Sequence, residues 1–170
     1  MDETTRDTKW AGDLPSMNRL RVVKRVVPVR IRLADDSLRE GHLYGDVQRL
    51  DGGPATILDR LDDPCEAFLP LATGGTHVLV SKSRAMTVEI RPGEITAPAT
   101  QGATTLQVEI LLSNGEILNG RIHAVLPPAS CRALDFLNRL SSKFLCLFRD
   151  DEAVLVNREY VVAVTEVRSA

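Results

Sequence analysis

The sequence predicts a mainly β protein built as two tandem five-stranded small β-barrels, each with a short helical insert. Three observations predict it: an internal repeat, apolar residues alternating with a period of two, and turn signals between the alternating runs. Val29-Arg30-Ile31-Arg32-Leu33 reappears as Val108-Glu109-Ile110-Leu111-Leu112, and without a gap Leu38 meets Ile117, Gly41 meets Gly120 and Leu43 meets Ile122. After a loop of different length, Leu58-Asp59-Arg60-Leu61 meets Leu134-Asp135-Phe136-Leu137, Phe68-Leu69-Pro70-Leu71 meets Phe144-Leu145-Cys146-Leu147, and Val78-Leu79-Val80 meets Val154-Leu155-Val156. Self-similarity sustained under one small indel marks a duplicated unit.

Each copy reads in the same order. Val29, Ile31 and Leu33, like Val108, Ile110 and Leu112, alternate as a strand with one buried face. Asn114-Gly115 then signals a hairpin of type I′, whose two central residues need positive φ, and Asp35-Asp36 is a weaker form of it. The returning strand carries Gly41 or Gly120, where a bulge or sharp bend is expected. A short helical stretch follows. In the first copy Thr56 is the expected N-cap, Asp59 completes a capping box and Pro64 ends the run. In the second copy Leu134, Leu137 and Leu140 recur every third residue and share a face, with Phe136 at its edge.

The chain resumes as strand at Phe68–Leu71 and Phe144–Phe148, with two-residue turns at Gly74-Gly75 and Asp150-Asp151. Two last strands per copy hinge near Ser81–Arg84 and Asn157–Tyr160. The predicted organisation is a disordered tail over 1–13, a first repeat over 14–90, a linker over 91–103 rich in Pro, Gly, Thr and Ala, and a second repeat over 104–170. Pro15–Lys24 is read as a short helix on the first repeat.

Bulk composition narrows the function classes. The 170 residues carry a net charge of −2, which gives no global pull toward nucleic acid or anionic membrane. Aromatics make up 4 %, so the cores must be built from Val, Leu, Ile and Ala. No apolar run approaches the roughly 18 residues of a membrane helix. Three cysteines, Cys65, Cys131 and Cys146, form no close pair, and with no secretory h-region at the N-terminus a reducing, cytoplasmic setting is expected.

The alternating strand Val108-x-Ile110-x-Leu112, the turn Asn114-Gly115, the bent strand at Gly120 and the closing pair Val154-Leu155-Val156 and Val161–Val164 resemble the Sm-like (SH3-like small-barrel) family. Small bacterial proteins of unassigned activity that carry this repeat look closer still. The resemblance implies a five-stranded barrel and, for the family at large, RNA binding through a loop after the second strand and an Arg-Gly step before the fifth. In this sequence Asn157 stands where that arginine would be and Arg158 where the glycine would be, while the first copy reads Ser81-Lys82-Ser83-Arg84. The inserted helix takes the place of the other RNA-contacting loop. The family's RNA site is therefore not expected here.

Few candidate site residues emerge. Arg19, Arg21, Lys24, Arg25, Arg30 and Arg32 form a basic cluster that suits phosphate, although Arg30 and Arg32 are also the outward residues of a strand. Arg21-x-x-x-Arg25 is similar to the arginine pair of PilZ domains, which bind a cyclic dinucleotide; the companion Asp/Asn-x-Ser-x-x-Gly is poorly matched at Asp46 or Asp51. His42, His77 and His123 are scattered and do not correspond between copies, so neither a metal nor a cofactor is expected. The repeated acid, Asp59/Asp135, reads as a helix cap. Leu111 against Arg32, and Phe136 against Arg60, put apolar residues at outward positions of the second copy and suggest an interface, either between the repeats or with a protein partner. The leading expectation is a non-catalytic module acting through protein–protein interaction, as adaptor or regulator. The alternatives are an Sm-like RNA binder using Arg19, Arg21, Lys24 and Arg25, and a cyclic-dinucleotide sensor.

Overall fold

A computed structural model describes residues 24–46, 53, 55–91, 94–95, 103–125, 132–150 and 152–167. The first half contains β1 (Lys24–Leu33), β2 (Leu38–Asp46), α1 (Ile57–Asp62), β3 (Phe68–Thr73), β4 (Thr76–Ser81), a 3₁₀ turn (Lys82–Arg84) and β5 (Ala85–Ile90). The second runs through the same order: β6 (Ala103–Leu112), β7 (Ile117–Val125), α2 (Ala133–Arg139), β8 (Phe144–Phe148), β9 (Ala153–Asn157), a 3₁₀ turn (Arg158–Tyr160) and β10 (Val161–Glu166). All ten strands lie in one antiparallel sheet in the order β10-β6-β7-β8-β9-β5-β1-β2-β3-β4. The expectation of two separate five-stranded units thus meets a sheet that is continuous across both halves and, among the described residues, open at β10 and β4. No helix among the described residues is long and apolar enough to cross a membrane.

Alternation places the core. Val27, Val29 and Ile31 of β1 point inward with Leu43, Leu69, Leu71, Val80, Val88 and Ile90, and α1 closes over them with Ile57 and Leu61. Val108, Ile110 and Leu112 do the same in the second half with Leu118, Ile122, Leu145, Leu147, Val154 and Val156. Aliphatic side chains therefore supply most of the volume, as the low aromatic content requires.

The β1–β2 and β6–β7 hairpins differ from the two-residue type I′ turn expected. Asp36 N–H donates to Leu33 O and Leu33 N–H to Ser37 O, both at 2.9 Å, and Leu112, Gly115 and Glu116 repeat the arrangement. Only one residue of each turn has positive φ, Asp36 at 61° and Gly115 at 85°. This is the three-residue loop that ends in a left-handed residue. It wins because Asp35 and Asn114 accept the backbone N–H two residues on, from Ser37 and Glu116, each at 3.0 Å, and so hold the turn with ordinary φ. Gly74-Gly75 does form a two-residue turn with both φ positive.

Gly41 and Gly120 mark the sharp bend. β2 shares a single ladder pair with β3, His42 with Ala72, and β7 a single pair with β8, Arg121 with Phe148. The strands cross so closely that a Cβ on Gly41 would lie 2.5 Å from Ala72 O, and one on Gly120 2.7 Å from Leu147 Cγ and 2.8 Å from Phe148 O.

The helices are set by local chemistry. Thr56 caps α1 in a full capping box with Asp59. α2 lacks a side-chain cap at Arg132, and Glu166 of β10 instead accepts the Ala133 N–H at 3.1 Å. Leu134 departs from the expected face and is exposed. Ala133, Phe136, Leu137 and Leu140 pack instead, because i, i+3, i+4, i+7 tracks a 3.6-residue turn and a strict spacing of three drifts off it. Ile95, in the expected linker, is buried in the first core, and Lys24 starts β1 rather than ending a helix. The tail over 1–13 and the rest of Pro15–Lys24 lie outside the described residues.

Gly41→Ala and Gly120→Ala should each destabilise the protein by about 1–3 kcal/mol, the usual cost of overpacking. Urea denaturation checks this; a neutral outcome at both sites would contradict the close crossing.

Candidate functional site

The two halves meet where β5 pairs with β9: Thr87 with Val156, Val88 with Leu155, Glu89 with Val154 and Ile90 with Ala153. Ala153-Val154-Leu155-Val156 is apolar without a break, and the structure uses both of its faces. Val154 and Val156 point into the second core, whereas Ala153 and Leu155 point into the first. Phe144 of β8 also reaches into the first core, and Met86 of β5 reaches into the second.

Polar contacts fix this seam. Asp62, at the end of α1, accepts hydrogen bonds from the Ser142 hydroxyl and from the backbone N–H of Lys143 at 2.9 Å and of Phe144 at 3.4 Å. Buried Asn157 donates to Ala85 O at 3.0 Å, and the Tyr160 hydroxyl donates to Ser83 O at 2.7 Å. The two hairpin turns touch through Asn114 and Asp36 at 2.7 Å and through the Arg32–Glu116 ion pair at 3.2 Å.

The outer strands are the counterparts of the seam strands. β4 stands in the first half where β9 stands in the second, and β10 stands in the second where β5 stands in the first. Among the described residues nothing pairs with the outer edge of either. Exposure follows. Leu79 is 67 % exposed and its counterpart Leu155 0 %; Phe68 is 55 % exposed and Phe144 1 %; Val162 is 63 % exposed and Met86 1 %. Neither Thr-His-Val-Leu-Val-Ser of β4 nor Val-Val-Ala-Val-Thr-Glu of β10 carries the lysine or proline that commonly blunts an open edge.

Arg19 and Arg21 of the basic cluster lie outside the described residues. Lys24 is exposed at the start of β1. Arg25 pairs with Glu94 at 2.5 Å, and Arg30 bridges Glu40 at 3.0 Å and Glu89 at 3.1 Å, joining β2, β1 and β5. The neighbouring carboxylates raise the pKa of Arg30, its bond to Glu40 first. Burial, then the nearby Glu152, pushes Glu89 up. These groups line a shallow groove of about 540 Å³ with His42 and Arg91, in which charges of both signs already face one another.

Of the two candidate interface residues, Phe136 packs against the core of its own half. Leu111 is half-buried in β6, beside Ile117 and Ala163. Neither belongs to the β5–β9 ladder. His42, His77 and His123 stand on β2, β4 and β7; His123 contacts the Thr105 hydroxyl at 3.1 Å and packs edge-on to Phe148. No group of three or more His, Cys, Asp or Glu among the described residues is placed to hold a metal. Burial pushes the Cys146 thiol up to about 12, which leaves it protonated and unreactive near neutral pH, while Cys65 is exposed. Cys131 lies outside the described residues.

Sequence reading missed one repeated cation. Lys82 is buried and donates to Arg60 O at 2.8 Å and Asp63 O at 2.6 Å; desolvation lowers its pKa. Arg158 does the same work on α2, donating to Leu140 O at 2.5 Å and Ser142 O at 3.1 Å. Each cation satisfies carbonyls at a helix C-terminus. The 76-residue offset between them was the available signal. Asp62 gave none, because the second copy has Asn138 at its place.

Asp62→Ala should destabilise the protein by about 1–3 kcal/mol, since it leaves donors of Ser142–Phe144 without their carboxylate. Denaturant titration checks it, and a change within error would remove Asp62 from the seam.

No protein-family model, curated protein or solved structure matches this chain.

Proposed function

We propose that this chain is a duplicated, non-catalytic module of two Sm-like or SH3-like small-barrel units, which acts by binding protein as an adaptor or regulatory component. The observation that carries the reading is the pair of unblocked outer strands, β4 and β10, whose apolar side chains are exposed where their seam counterparts are buried. An extended edge with unpaired backbone groups binds by strand addition, with the ladder giving affinity and alternate side chains giving specificity. Phe68 and Leu79 at one end, and Val162 at the other, supply those side chains.

Support for reading each half as a small-barrel unit comes from the bends at Gly41 and Gly120 and from the cores that five strands and a helix enclose. Support for a non-catalytic role comes from the chemistry of the described polar groups. Of the acids of the groove, Glu40 and Glu89 are tied to Arg30 and Glu152 to Arg149, while Asp59 caps α1 and Lys82 and Arg158 hold helix ends.

The RNA-binding and cyclic-dinucleotide alternatives have less behind them. Of the basic residues assigned to that face, Arg25, Arg30 and Arg32 are each engaged by a carboxylate, which lessens the charge available to phosphate.

Tagged wild-type protein and the Leu79→Lys and Val162→Lys variants should be compared by quantitative co-purification. We expect protein partners, the untagged chain among them, to be recovered with the wild type and lost with at least one variant that keeps the wild-type circular dichroism. Recovery of single-stranded RNA at physiological salt, lost on Lys24→Ala with Arg25→Ala, would replace this reading with the nucleic-acid one.

A further inference from the structure

The seam holds a charge as well as an apolar ladder. Glu89 lies within β5, opposite Arg30 of β1 on one side and Val154 of β9 on the other. Directly opposed residues share a face, so Glu89 stands at the rim of the second core, to which Val154 belongs. Its side chain is only 20 % exposed, against 65 % for Glu40 and 52 % for Arg30. Glu152, two residues before Val154, belongs to the other half and lines the same groove. We propose that Glu89 makes the seam responsive to pH: ionised, it opposes Glu152 across the junction of the two halves, and protonated, it removes that repulsion and lets the halves hold more firmly.

The groups around Glu89 divide by sign. From β1, Arg30 donates to Glu89 at 3.1 Å, but the same guanidinium also serves Glu40 of β2 at 3.0 Å. Arg32, further along β1, is engaged by Glu116 at 3.2 Å. His42 of β2 lines the groove, as does Arg91, two residues beyond Glu89 on its own strand. From the second half comes Glu152, held by Arg149 at 2.7 Å, which is itself anchored on Asn119 O at 3.1 Å. Burial penalises the charged form of a carboxyl group, and a second carboxylate nearby adds to that penalty. At Glu89 these two effects, burial first and Glu152 next, outweigh Arg30 and Arg32 and raise the pKa.

Comparison of the copies places this cluster at the junction. Glu89 corresponds to Thr165, Glu152 to Thr76, Arg30 to Glu109 and Glu40 to Asn119. The outer strand β10 therefore carries a hydroxyl where β5 carries an acid, and the charges belong to the seam and not to the repeated unit. Linkage gives the direction of the response. Because the pKa is raised in the folded state, the folded protein takes up a proton at Glu89 at a pH where the unfolded chain does not. The resulting gain in stability is complete below the ordinary glutamate range and is lost as pH rises through the raised value. Acid commonly weakens a fold by protonating paired carboxylates; at this position it strengthens one. The response is independent of what the protein binds.

Urea titrations of the full-length chain at about pH 8 and about pH 5, on wild type, Glu89→Gln, Glu152→Gln and the double variant, test the proposal. At the higher pH, Glu89→Gln should lower the unfolding constant several-fold relative to wild type, and this advantage should shrink at the lower pH. The advantage should also be smaller in the Glu152→Gln background, where the repulsion lacks its second member. His42→Gln should leave the pH response in place. A Glu89→Gln chain that is unfolded, or less stable than wild type at the higher pH, would overturn the proposal by showing that the Arg30 ion pair is the stronger effect. An advantage that does not change with pH or with Glu152→Gln would also overturn it, as would a response abolished by His42→Gln. Titration of the Glu89 side-chain carboxyl by carbon-detected NMR needs no variant. Its midpoint should lie above the ordinary glutamate range, and one within or below that range would overturn the proposal.

Discussion

The pairing of β5 with β9 is the constraint on which the rest of the structure depends. It turns ten strands into one sheet and gives each core residues from the other half. β9 shows the physical reason. An amphipathic strand buries alternate residues, but Ala153–Val156 has no polar face to leave in water, so each side must find a core. The two halves supply one each. Burying a side chain such as Leu155 relative to leaving it exposed contributes about 1.5–3 kcal/mol, comparable to a sizeable share of a small domain's net stability. Asp62, Asn157 and Tyr160 then hold the seam at its margins with hydrogen bonds that its geometry alone makes possible.

The strands were legible because alternation is a local signal. Val29 and Ile31 face the first core, with Leu33 half-buried against it, and Val108, Ile110 and Leu112 face the second, as their spacing implies. The bend at Gly41 and Gly120 and the capping box at Thr56 were legible for the same reason, since each depends on a few neighbouring residues. Turn type was harder to read. The Asn114-Gly115 pair suits a type I′ turn, yet the Asn114 side chain takes the Glu116 N–H and shifts the balance to a longer loop.

The candidate site was less legible, because it is made by non-local pairing. Phe68 and Phe144 are the same residue type at the same place in each copy, and nothing near them in sequence tells that one is covered and the other is not. The difference arises from which strand lies beside them. The basic cluster is a local run of charge, and Leu111 and Phe136 stand out only as apolar residues at outward positions of the second copy, whereas the informative contrast between the copies is one of exposure. Lys82 and Arg158 show the converse: chemically alike but not identical, they were weighed against an RNA-binding step and hold helix ends instead.

The central claim is that the two halves form one cooperative sheet through the β5–β9 seam. Native-state hydrogen exchange tests it most directly. The account predicts that amides of Val88, Ile90, Val154 and Val156 exchange at the slow limit set by global unfolding, together with core amides of β1 and β6. Rapid exchange across β5 and β9, with the two halves unfolding at separate denaturant concentrations, would contradict it.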